Sequence, residues 1–112
     1  MYSNKEIMQF LSIVVEVVDP DKIILFGSYA YGNPGEKSDL DLLVIKNGKD
    51  ISFDEEAKMA VAIFRKRKLH KVGTRYDLFI RSEAQVQQFA KKGGTMNDAI
   101  QRGKVIYERV HQ

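Results

Sequence analysis

Two short apolar runs, Ile23-Ile24-Leu25-Phe26 and Leu40-Asp41-Leu42-Leu43-Val44-Ile45, are parted by a segment carrying Gly27, Gly32, Pro34 and Gly35. Each run is too short for a buried helix and rich in β-branched residues, and the Gly and Pro between them forbid one continuous helix. The chain must therefore bring two strands, at about 22 to 27 and 39 to 46, into one sheet. Polar residues mark the joint: Gly27-Ser28 ends the first run, and ten residues later Asp39-Leu40-Asp41 opens the second.

Side chains alternate across a strand, so Asp39 and Asp41 share a face, with Cα atoms about 7 Å apart. Two such carboxylates repel one another unless a cation lies between them. Oxygen donors without a neighbouring His or Cys suit Mg²⁺ or Mn²⁺, and those ions in turn favour phosphate oxygens. Gly27 permits close backbone approach, and a helix beginning at Ser28 would aim amides and a hydroxyl at an anion. Alone, an Asp-x-Asp is ordinarily a solvated strand end and a Gly-Ser an ordinary turn. The joint spacing instead describes a site for a metal-bound polyphosphate.

Gly27-Ser28 followed after ten residues by Asp39-x-Asp41 resembles the signature of the DNA polymerase β-like nucleotidyltransferase superfamily. Together with the short chain and Arg102-Gly103-Lys104-Val105-Ile106-Tyr107-Glu108, it resembles the minimal nucleotidyltransferase (MNT) branch, whose members are commonly the antitoxins of HEPN-MNT toxin-antitoxin pairs. The resemblance implies an α+β nucleotidyltransferase fold, a two-layer arrangement of a small mixed sheet packed with helices. It also implies a third carboxylate from a later strand. Arg75-Tyr76-Asp77-Leu78-Phe79-Ile80 reads as a strand, and Asp77 is its only acid. Asp39, Asp41 and Asp77 would then be the metal ligands and catalytic acids of a two-ion nucleotidyl transfer, with Gly27 and Ser28 on the β and γ phosphates. ATP as substrate, and a tyrosine of a cognate HEPN toxin as acceptor, follow from the resemblance alone. One departure is plain. Relatives often write the turn Gly-Ser-Arg-x-Arg-Gly, whereas this chain has Gly27-Ser28-Tyr29-Ala30-Tyr31-Gly32; Lys37 or Arg81 are the candidates to replace the missing cations.

The 112 residues, 44% of them hydrophobic, predict a single domain over 1–112 with a modest core. No apolar run has transmembrane length, the start reads as a helix cap rather than a signal peptide, and the lack of cysteine excludes a disulfide framework; a cytoplasmic protein is expected. The histidines are His70 and His111 alone, so no Ser-His-Asp set is expected. Ser3 with Glu6 caps a first helix whose apolar face is Ile7, Phe10, Leu11, Val14 and Val18, stopped at Asp19-Pro20. A second long helix starts near Ser52 with Phe53, Ala57, Ala60, Val61 and Phe64 expected inward. Ser82 with Gln85 caps a short helix, and after Gly93-Gly94 a last helix is expected to run through Met96, Ala99, Ile100, Gly103 and Tyr107. The cluster Arg65-Lys66-Arg67-Lys68, continuing to His70-Lys71, reads as a solvated helix end in preference to a nucleic-acid patch, and the net charge of +3 demands no polyanion.

A chain this short has little left over to grip an acceptor. The expectation is a macromolecular acceptor that brings its own docking surface, or a homodimer that builds a pocket across its interface. Two other outcomes stay open. The chain could be a non-catalytic module that masks its partner, or a transferase for a small hydroxyl compound such as an aminoglycoside.

Overall fold

The computed structural model describes residues 1–110, so His111 lies outside the described residues. Three helices begin where serine caps were expected. In each, the serine hydroxyl accepts the amide of the third helical residue while that residue's side chain accepts the cap amide: Ser3 with Glu6 for α1 (Asn4–Val18), Ser52 with Glu55 for α3 (Phe53–Leu69), Ser82 with Gln85 for α4 (Glu83–Ala90). Ser82 is the consequential one. It is buried, and its hydroxyl also donates to Asp50 at 2.6 Å. Ser82→Ala is expected to cost about 1–2 kcal/mol, against about 1 kcal/mol or less for exposed Ser3→Ala, as read from urea unfolding.

Four strands form one sheet in the order β3-β2-β1-β4, with β1 Lys22–Phe26, β2 Leu40–Ile45, β3 Tyr76–Arg81 and β4 Lys104–Glu108. β1 runs antiparallel to β2 and to β4, whereas β2 and β3 are parallel, with α3 as the crossover that a parallel pair requires. The four-residue α2 (Ser28–Tyr31) follows β1, and α5 (Thr95–Arg102) precedes β4. This is the mixed sheet packed with helices that the family resemblance implied. Alternation along β2 divides the core. Leu40, Leu42 and Val44 join Phe10, Val14 and Ile63 of α1 and α3, while Leu43 and Ile45 join Val86 of α4 with Met96 and Ala99 of α5. Among the described residues no helix is long and apolar enough to cross a membrane.

Two expectations fail, each for a visible reason. The last helix stops at Arg102, and residues through Tyr107 belong to β4. Gly103 is extended (φ −73°, ψ 166°), and a Cβ there would lie 2.3 Å from the Ala99 carbonyl oxygen and 2.5 Å from Ile24 Cγ2. The chain must turn sharply against β1 at this point, which a continuing helix would prevent. Gly103 is thus closely packed at a helix-to-strand junction. In α3 the inward face is also displaced. Phe53 is 87% exposed, Ala57, Val61 and Phe64 are exposed as well, and Ile63 is the buried residue. Two charged residues hold the other face in: Glu56 accepts the Ile80 amide at 2.9 Å and pairs with Arg81, and Arg67 donates to the carbonyls of Val72 and Thr74. A hydrophobic pattern cannot register an inward face fixed by ions.

Candidate active site

Asp41 lies in β2 directly opposite Asp77 of β3 and Phe26 of β1. In a parallel pair, residues in register project from the same face, so both carboxylates stand on the side of the sheet covered further along by α4 and α5. Gly27 closes the third side. Its φ of +72° is one that side chains rarely adopt, and a Cβ there would sit 2.1 Å from Asp41 Oδ2, so the space a side chain would take is filled by the carboxylate. Ser28 begins α2, whose turn uses the amides of Ala30, Tyr31, Gly32 and Asn33 on the carbonyls of Gly27 and Ser28. The Gly-Ser turn and two of the three expected acids thus share one end of the sheet.

Asp39 precedes β2 instead of lying within it, and Arg75 Nε stands 3.3 Å from its Oδ1. Among the described residues, no three His, Cys, Asp or Glu side chains converge as a cation cage. The electrostatics nevertheless records the crowding. Burial, then the charge of Asp77, then that of Asp39, raises the Asp41 carboxyl above the ordinary carboxylate range. A set of hard oxygen donors whose mutual repulsion already presses on one member fits Mg²⁺ or Mn²⁺ in chemistry.

Residues 6–112 match the family model described as polymerase beta, nucleotidyltransferase. The chain belongs to that nucleotidyltransferase family. It is 33% identical over 88 residues, 77% of each chain, to a candidate protein adenylyltransferase of Methanocaldococcus jannaschii. Its fold is similar to the crystal structure of a candidate nucleotidyltransferase from Sulfolobus solfataricus, with a TM-score of 0.58, 16% identity, and coverage of 94% of this chain and 86% of that one.

Within this nucleotidyltransferase the two tyrosines of the turn have separate work. Tyr29 stacks on Tyr2 at 6.0 Å and its hydroxyl accepts the Tyr2 amide; the Tyr2 hydroxyl in turn accepts the amide of Arg75. Tyr31 donates its hydroxyl to Asp98 of α5 and carries the guanidinium of Arg102 over its ring. Sequence reasoning missed Asp98 and Arg102, because nothing local signals that α5 returns to the Gly27 turn. Arg81, one of the two cations considered as replacements, is spent on Glu56 at the other end of β3. The basic cluster is partly spent too, since Lys66 pairs with Glu16 and Arg67 is fastened to backbone carbonyls. A groove of about 410 Å³ lined by Asp39, Phe64, Arg67, Arg75 and Tyr76 opens at Asp39, with exposed Phe64 of α3 on its wall.

Proposed function

We propose that the protein is a metal-dependent protein adenylyltransferase that serves as the antitoxin of a HEPN ribonuclease toxin, moving AMP from ATP to a tyrosine hydroxyl of that toxin. The observation that carries the transferase reading is the register of Asp41 beside Asp77 at the Gly27-Ser28 turn. The candidate protein adenylyltransferase at 33% identity supports a protein acceptor, as do exposed Phe53, Val61 and Phe64 on a helix leading to the groove at Asp39.

Asp39, Asp41 and Asp77 would hold the two divalent cations, which when bound supply positive charge to the triphosphate and acidify the attacking hydroxyl. Gly27 and Ser28 receive the β and γ phosphates. The exposed Asp77 carboxylate takes the acceptor's proton as the hydroxyl oxygen bonds to the α phosphorus and the bond to the β phosphate breaks, releasing pyrophosphate. The test incubates the protein with labelled ATP and Mg²⁺, with and without the product of a neighbouring reading frame, expected to be a small helical protein carrying Arg-x-x-x-x-His. Partner-dependent gain of AMP, absent from the Asp39→Ala, Asp41→Ala double variant, is expected; transfer at the wild-type rate by that variant would overturn the proposal.

The Asp39 pairing with Arg75 favours one alternative, a module that masks the toxin without chemistry. Under that reading the double variant, folded and still bound, keeps cells protected. Under the leading reading it does not.

A further inference from the structure

Arg102 is the last residue of α5, and its position is set from both sides. Met96 and Ala99 of the same helix are buried against Ile24 and Phe26, and Gly103 leaves no room for a Cβ between the Ala99 carbonyl, Ile24 and the Leu25 carbonyl. The end of α5 is therefore fixed to β1 two residues before Gly27. There the Arg102 guanidinium carbon lies 3.8 Å above the Tyr31 ring, with Nη1 3.5 Å from Asp98 Oδ1. Asp98 Oδ2 accepts the Tyr31 hydroxyl, and Tyr31 lies in the turn that Gly27 begins, its amide donating to the Gly27 carbonyl. Arg102, Asp98 and Tyr31 thus form one assembly leaning on the Gly27 turn, on the sheet face that carries Asp41.

A guanidinium stacked on an aromatic ring keeps its edge donors available, and the Arg102 side chain is 61% exposed. Two other arginines are engaged elsewhere: Arg75 with Asp39, Arg81 with Glu56. A triphosphate seated at a turn that offers only amides and a hydroxyl needs such a cation, and a planar fork of donors matches phosphate oxygens.

We infer that Arg102 binds the β and γ phosphates of the nucleotide held at Gly27-Ser28, with Tyr31 as its platform and Asp98 as the group that orients it. This rests on the nucleotidyltransferase reading given above. A purely structural Arg102, pairing with Asp98 one turn earlier in the helix, would leave nucleotide affinity unchanged.

The experiment measures equilibrium binding of ATP and of AMP, in Mg²⁺, to wild type, Arg102→Ala, Arg102→Gln and Arg102→Lys, with thermal melts of each. Loss of a charge-assisted contact should weaken ATP binding about tenfold or more in Arg102→Ala, leave AMP binding unchanged, and be partly restored in Arg102→Lys. Arg102→Gln retains a donor toward Asp98 and serves if the alanine variant does not fold; it should lose ATP affinity to a similar degree. Wild-type ATP affinity in a folded Ala or Gln variant would overturn this inference and leave the transferase reading standing. Failure of the wild type to bind ATP or any other nucleoside triphosphate would overturn both.

Discussion

Asp41→Asn is expected to reduce nucleotidyl transfer by about a thousandfold or more while leaving the fold at least as stable as before. The loss follows from removing one full negative charge from the centre of the acid set, a scale similar to deleting a preorganised charge-stabilising group elsewhere. The stability half is less intuitive. Burial and the charges of Asp77 and Asp39 make ionised Asp41 unfavourable in the folded protein, so its carboxyl titrates above the ordinary range. The folded chain then holds that proton more tightly than the unfolded chain does. This contribution is fully present below the unfolded value and is lost as pH rises through the raised one. Without divalent cations, the wild type should therefore lose stability across that window, and Asp41→Asn should lose less of it. At neutral pH the metal-free variant should melt higher than the wild type. Adding Mg²⁺ should raise the wild-type melting temperature and move that of the variant little. A lower melting temperature for metal-free Asp41→Asn at neutral pH would show that the carboxylate is favourably partnered in the fold.

Gly103→Ala should give the largest loss of stability among single-methyl additions. The new Cβ would lie 2.3 Å from one backbone oxygen and 3.1 Å from another, as well as 2.5 Å from Ile24 Cγ2. Backbone at both sides cannot swing aside as a flexible side chain can, so α5 and β4 must separate from β1. The cost is expected at about 3 kcal/mol, near the upper end for overpacking, measured as a fall in the urea midpoint. Gly32→Ala is the control. Gly32 has nothing within 4 Å of a Cβ, and only its φ of +88° opposes the substitution, so about 1 kcal/mol is expected. Equal losses at the two positions would mean that the junction at Gly103 relaxes freely.

What could be read from the residues divides along a physical line. The caps at Ser3, Ser52 and Ser82, the strands of Ile23 to Phe26 and Leu42 to Ile45, and the pairing of a Gly-Ser turn with Asp41 are local or nearly so, and they were legible. Asp77 was found through a resemblance and not through its own surroundings, since a lone acid on a strand carries no chemical signal. The inward face of α3 was misjudged because Glu56 and Arg67 are held inside by Arg81 and by backbone carbonyls that lie more than a helical turn away in sequence or on another element. The last strand was read as helix because Gly103 breaks the 3.6-residue pattern only once its collision with Ile24 is known. Arg102 and Asp98 became visible only when α5 was seen to return to the turn after β1.

The parallel pairing of β2 with β3 has a kinetic corollary. Asp41 and Asp77 come side by side only after the whole crossover through α3 has closed, so no local fragment of this chain can possess the acid pair. Non-local pairings of this kind are made late and slowly relative to helix and hairpin formation. Recovery of nucleotidyl transfer during refolding should therefore lag the return of helical signal, and a chain arrested before the crossover closes would be helical yet inert.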